Sequence, residues 1–229
     1  MQAVFQRWNG PVHVVTAHGM GRAYVAKSQF GWRTAPGILD CHLWSELNDG
    51  AHSAPAAALI TDLGNDLVYG RSASEIVQAA HTIIARLHDA NSDCRIVVTR
   101  PPLASVESLS RLRFGLFRTA FFPLCRLSLE NIVDASRELD DGIQQLDRVT
   151  VVSQRREWFG ADPIHIRRRF REAAFAKFLE SWPVVALEER GSDSIPFKRP
   201  AMGIRWILGR KRVSRQPSVV TELGTVSAW

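Results

Sequence analysis

Two short constellations carry side chains suited to chemistry. Asp162-Pro-Ile-His165 spaces a carboxylate and an imidazole three residues apart, close enough at a helix start for the Asp to hold one ring nitrogen. The other nitrogen is then left to act as a general base. Pro163 suits the first helical position and Asp162 the N-cap before it, so the same residues equally read as a capped helix with a surface histidine. The second stretch is Leu59-Ile60-Thr61-Asp62-Leu63-Gly64-Asn65-Asp66. Its apolar run stops at Gly64, whose backbone freedom permits a close approach, and Asn65 then offers an amide N–H donor. A buried parallel strand delivers side chains to the carboxyl edge of its sheet in this way, and ligands bind there. Gly64-Asn65-Asp66 are also turn residues, and a plain turn is the competing reading.

Other candidates lie just past strand ends. The stretch Ala17-His-Gly-Met-Gly-Arg-Ala-Tyr24 has two glycines, Gly19 and Gly21, which fall short of any dinucleotide or phosphate-loop spacing. His18 in this loop is either a water activator or a packing and capping residue. Arg22 and Arg100 are placed to hold an anionic group, or else are solvated surface residues. His13, His42, His52, His81 and His88 show no ligand spacing, so no metal or cofactor is expected. Cys41, Cys94 and Cys125 lack any C-x-x-C pairing and read as buried free thiols.

The elements that position these residues alternate along the chain. Strands are expected at 11–16, 57–63, 94–99 and 148–153. Residues 25–55 read as irregular apart from a short helix opening at Gly37. A helix begins at the capping box Ser72-Ala-Ser-Glu75 and continues through Ile76, Ala79, Ala80, Ile83, Ile84 and Leu87. Two more helices are expected at 105–121 and 129–146, and a long one from about Ile164 to Trp182. This alternation predicts an α/β fold with a parallel sheet covered by helices on both faces and its strand ends on one edge.

The order of these pieces resembles the SGNH (GDSL-type) hydrolase superfamily over roughly residues 11–182. The matching residues are Leu63-Gly64-Asn65-Asp66 and Asp162-Pro163-Ile164-His165, with the glycine-bearing loop after the first strand. The resemblance implies a three-layer α/β/α sandwich, flavodoxin-like in outline, and an esterase or acyl hydrolase chemistry. It assigns the oxyanion donor to Asn65, the base to His165 and its orientation to Asp162. It assigns backbone donors to Gly64, Gly37 and Gly19. It also requires a Ser just after the first strand, yet residues 17–27 contain no Ser, Thr or Cys. Covalent acyl transfer then has no attacking atom, although oxyanion donors alone retain some stabilising power.

Charge separates the chain into two parts. Seven cations lie between Phe197 and Arg215 with no acid among them, one more than the net charge of +6, so the rest of the chain sums to −1. A general nucleic-acid-binding body is excluded on that balance. The expected division is an SGNH-hydrolase-like domain at 1–183 and a basic tail with little fixed structure at 184–229. Met1-Gln-Ala-Val-Phe-Gln-Arg-Trp lacks the pattern of a signal peptide, and the apolar window Phe114 to Leu129 is too charged to span a bilayer. A cytoplasmic location is the expectation. Three functions follow. One is a catalytically impaired relative, a pseudoenzyme, holding a small acyl- or carbohydrate-ester-like ligand. Another is a divergent hydrolase using Ser28 or a His18-activated water. The third is an adaptor whose tail meets an anionic membrane surface or a partner.

Overall fold

The computed structural model describes residues 2–8, 11–19, 21–49, 54–123, 125–182 and 200–229. In chain order the elements are α1 (Gln2–Arg7), β1 (Val12–Thr16), β2 (Ser28–Phe30), β3 (Arg33–Ala35), α2 (Leu43–Asn48) and β4 (Ala57–Ile60). Then come α3 (Ala73–Ala90), β5 (Arg95–Thr99), α4 (Leu103–Glu107), α5 (Arg111–Phe121), α6 (Leu129–Gln144), β6 (Thr150–Val152) and α7 (Arg171–Phe178). The chain ends in β7 (Ile204–Ile207), β8 (Arg210–Val213), β9 (Val219–Thr221) and β10 (Gly224–Ala228). The fold is α/β.

The three apolar runs at β4, β5 and β6 form a parallel sheet in that order, with Ala58 opposite Ile96 and Val98 opposite Val151. The two-residue period of a strand sorts their side chains onto opposite faces. Ile60, Ile96 and Val98 pack with Ile76 and Ile83 of α3 and with Leu139 and Ile143 of α6. Val97 turns the other way, onto Leu179 and Trp182 with Val4 of α1. Leu59 and Val152 meet Trp158, Phe159 and Phe178. The capping box of α3 is complete, Ser72 accepting from Glu75 N–H while the Glu75 carboxylate accepts from Ser72 N–H.

Several expectations are corrected. β1 does not join the β4-β5-β6 sheet. It pairs in parallel with β10, from Val12 opposite Gly224 to Thr16 opposite Ala228, and β9 completes that sheet. Residues 204–228 therefore hold four strands instead of an irregular tail, while 184–199 lie outside the described residues. Within the stretch expected to be irregular, β2 and β3 make a hairpin that continues through β7 and β8 into a four-stranded antiparallel sheet. The helix expected at 105–121 divides into α4 and α5, because Ser110 starts a new helix by accepting from Arg113 N–H. The long helix after Asp162 shrinks to α7. Arg167 N–H donates to the Trp158 carbonyl at 2.8 Å, and Ile166 and Phe170 are drawn onto the aromatic cluster, so only a 3-10 turn, Arg168–Phe170, precedes α7 and no α-helix starts before Arg171.

The loop after β1 is fastened to the segment after β4. That segment turns at Asp62 (φ 60°) into a 3-10 helix, Leu63–Tyr69. Asp66 is fully buried, and its carboxylate accepts the N–H groups of Tyr24, Val25 and Ala26 at 2.5, 3.0 and 2.9 Å. The neighbouring Asn65 Nδ2 donates to the Arg22 carbonyl at 3.0 Å, and Tyr24 Oη donates to the Thr61 carbonyl. The left-handed residue is thus Asp62 and not Gly64, whose position has open space where a Cβ would stand. Asp66→Ala strands three N–H donors, those of Tyr24 and Ala26 buried and that of Val25 half-buried, and it is expected to lower unfolding free energy by about 3 kcal/mol in urea titrations. Gly64→Ala is expected to change it by no more than about 1 kcal/mol, and in the stabilising direction.

Candidate functional site

A cavity of about 1030 Å³ lies between β1 and β4. Every residue of Val12–Thr16 and every residue of Ala57–Ile60 lines it. A strand turned side-on to a cavity contributes alternate residues, so both strands here present their edges. Among the described residues β1 pairs only with β10 and β4 only with β5, so these edges carry no described strand partner. Past the carboxyl ends of the two strands the wall continues through His18, Gly19 and Arg22 on one side and Thr61, Asp62 and Asn65 on the other.

The sequence candidates divide by where they fall. His18, Gly19, Arg22 and Asn65 are brought to the cavity, whereas Gly64 and Gly37 are not among its lining residues. Gly37 has a packing reason to be glycine, because a Cβ there would stand 2.6 Å from the Tyr24 carbonyl oxygen. One amide donation of Asn65 is spent on the Arg22 carbonyl, at 3.0 Å. Arg100 is committed elsewhere, its Nε 2.7 Å from the buried Asp140 carboxylate and its Nη2 on the same group, with Ser153 accepting from Nη1. Arg22 is buried, which corrects its reading as a solvated surface residue. Ser28 is buried with its Oγ accepting Ala23 N–H at 2.8 Å, so its hydroxyl is tied into the loop. All three cysteines are buried free thiols.

Asp162 and His165 do meet. Asp162 Oδ2 lies 2.7 Å from His165 Nδ1, while Oδ1 accepts the N–H groups of Ile164 and His165. The pair stands outside the cavity lining and is exposed, the His165 side chain to 62%. The bond to Asp162 raises the His165 pKa above its ordinary value, against a smaller opposing effect of burial, and Asp62 adds attraction. Partial burial works against ionisation of Asp162, but the His165 ring and the two N–H donors outweigh it and hold the carboxyl low. Crowding by protein atoms pushes Asp62 up, His165 pulls it back, and its surface remains open to water. Burial and the Arg22 charge both lower the His18 pKa, which favours a neutral ring there.

A second polar array was not apparent in the sequence. His13 Nδ1 bonds Thr225 Oγ1 and its Nε2 lies 3.1 Å from Glu46 Oε1, all three residues lining the cavity. Glu46 also accepts from the indole N–H of Trp229. Thr225 is the parallel-strand partner of His13 across 212 residues, a separation over which no spacing rule carries a signal. Among the described residues no group of His, Cys, Asp and Glu is arranged to hold a metal ion, and no helix is long and apolar enough to cross a membrane. Compared with family models, curated proteins and solved structures, the chain has no match.

The Asp162–His165 pair has a defined pH window. A raised His pKa means its contribution is fully present below the ordinary value of 6.5 and is lost as pH rises through the raised value. A lowered Asp pKa means its contribution is present above 3.8 and is lost as pH falls through the depressed value. NMR titration of His165 is expected to give a midpoint above 6.5, and Asp162→Asn is expected to move that midpoint down.

Proposed function

We propose that the chain is an SGNH-hydrolase-like protein of three-layer α/β/α build that has lost serine-dependent acyl transfer. It holds a small acyl- or carbohydrate-ester-like ligand in the cavity between β1 and β4. The observation that carries this reading is an oriented base with nothing to activate. His165 is held by Asp162 at 2.7 Å beside Asp62, yet no described hydroxyl or thiol is bonded to its ring, and residues 17–27 offer none. Helices on both faces of the β4-β5-β6 sheet, and the Asn65-Asp66 clamp on the loop after β1, support the same reading. The full chain is expected to bind short acyl esters without turnover above buffer, and a fluorophosphonate probe is expected to leave it unlabelled. Robust turnover abolished by His165→Ala, with the label on a serine, would sink the impaired reading. A label on Thr225 would instead move the chemistry to the His13–Glu46 array.

One arrangement favours a second reading, an adaptor that docks on an anionic membrane surface. Trp32 is 65% exposed and Leu208 78%, and the two hairpin tips are joined by Leu208 N–H donating to the Trp32 carbonyl at 3.0 Å. The sheet behind them carries Arg33, Arg205, Arg210, Lys211 and Arg212, with no acid in 28–35 or 204–213. An exposed tryptophan and leucine ringed by cations suits the boundary between headgroups and acyl chains. Sedimentation with phosphatidylserine-containing vesicles is expected to show binding that salt weakens. Trp32→Ala with Leu208→Ala is expected to reduce it by roughly tenfold or more. Equal sedimentation with neutral vesicles, or indifference to the double change, counts against the adaptor.

A further inference from the structure

Arg22 is 4% exposed and lies in the cavity wall. Its Nη1 donates to the Met202 sulfur at 3.7 Å, and the Cys41 thiol sits beside the guanidinium. Both sulfurs are weak acceptors. Nε and Nη2 are shut off from water and make no hydrogen bond among the described residues, nor does a described carboxylate face them. Other partly sheltered arginines are answered. Arg100 meets Asp140, Arg113 meets the Gly160 and Ala161 carbonyls, and Arg205 meets the Met202 carbonyl and Ser214. A buried charge without a counter-charge is strongly destabilising, and native structures rarely leave one in place.

The unanswered atoms are also the informative ones. Nε and Nη2 form the edge of the guanidinium whose two N–H bonds run parallel, matching two oxygens of a carboxylate, phosphate or sulfate. His18 Nδ1, on the same loop and the same cavity wall, is likewise buried and unbonded. The backbone beneath is fixed, because Asn65 holds the Arg22 carbonyl and Asp66 holds the next turn. Met202, which takes Nη1, is an unbranched side chain that repacks readily.

We propose that Arg22 is an anion seat: the ligand of this cavity carries a terminal oxyanion group, received on Arg22 Nε and Nη2 with His18 Nδ1 as a third contact. The proposal rests on the reading of the cavity as a ligand site and requires no bond to be made or broken. Arrival of the anion displaces Met202 from the guanidinium.

The test is thermal denaturation of the full chain with sodium phosphate, sulfate or acetate, against chloride at matched ionic strength. The oxyanions are expected to raise Tm in a saturable way and chloride is not; which of the three acts most strongly separates a phosphate or sulfate ester from a carboxylate. Arg22→Met is expected to raise Tm without added anion and to abolish the response. Arg22→Lys, which keeps charge but loses the paired donors, is expected to weaken apparent affinity by about tenfold or more. Should Arg22→Met fail to fold, the NMR signal of the wild-type Arg22 Nε–H is expected to shift on phosphate titration. An equal response to chloride, an unchanged response in Arg22→Met, or a silent Arg22 Nε–H overturns the proposal. Anion silence in a chain that still binds neutral esters removes this seat and leaves the hydrolase-like reading standing. An anion response in a chain that binds no ester does the reverse.

Discussion

The Asp66 carboxylate holds the site together. A fully buried carboxylate is costly unless donors surround it, and here three consecutive N–H groups of the loop after β1 do so. Burial pushes the Asp66 pKa up and those three bonds pull it down, so the group and the loop each depend on the other. Because the loop carries His18 and Arg22, and the segment after β4 carries Asp62, Asn65 and Asp66, this contact joins two sides of the cavity. β1 and β4 belong to different sheets. Without the clamp, no ladder hydrogen bond between those strands would hold their ends in register.

The cavity follows from that topology. β1 finds its partner in β10, at the far end of the chain, so its other edge faces the free edge of β4. The C-terminal strands are part of the wall: Gly224 and Thr225 line the cavity, and Met202 lies on Arg22. The terminal Trp229 is anchored by its N–H to the Thr16 carbonyl and by its indole to Glu46, beside the ring of His42. A stretch that reads in sequence as a basic tail therefore helps to shape the site.

What was legible in the sequence is what local chemistry decides. Ser72 and Glu75 announce α3 because a capping box closes within four residues, and Asp162 and His165 meet locally even without the expected helix, since Asp162 Oδ1 accepts the Ile164 and His165 N–H groups and fixes the bend. The runs of β4, β5 and β6 are legible because strands covered on both faces read as mostly apolar runs, here broken only by Arg95, Thr99 and Thr150. Contacts of long range were not legible. The pairing of His13 with Thr225 spans 212 residues, and the contact of Arg22 with Met202 spans 180. Gly64 drew attention as the conformationally free residue, but the turn was taken by Asp62, since aspartate tolerates the left-handed region better than most side chains. The helix expected after Asp162 failed for a tertiary reason, the burial of Ile166 and Phe170 against Trp158 and its neighbours.

On the proposed reading, the charges around the cavity mouth suit holding a ligand more than cleaving it. Asp62 belongs to both surroundings, lining the cavity and attracting His165. Below its raised pKa, His165 is a cation paired with Asp162, and a protonated imidazole cannot accept a proton from a nucleophile. Raising the pKa of that base strengthens it only above that value, where the ring is neutral and, among the described residues, no hydroxyl is bonded to it. Across the cavity from Asp62, the loop after β1 carries the buried Arg22 guanidinium. In the proposed seat that cation meets a terminal oxyanion remote from the ester bond, and an interaction equal in ground and transition state lowers a dissociation constant without accelerating a reaction.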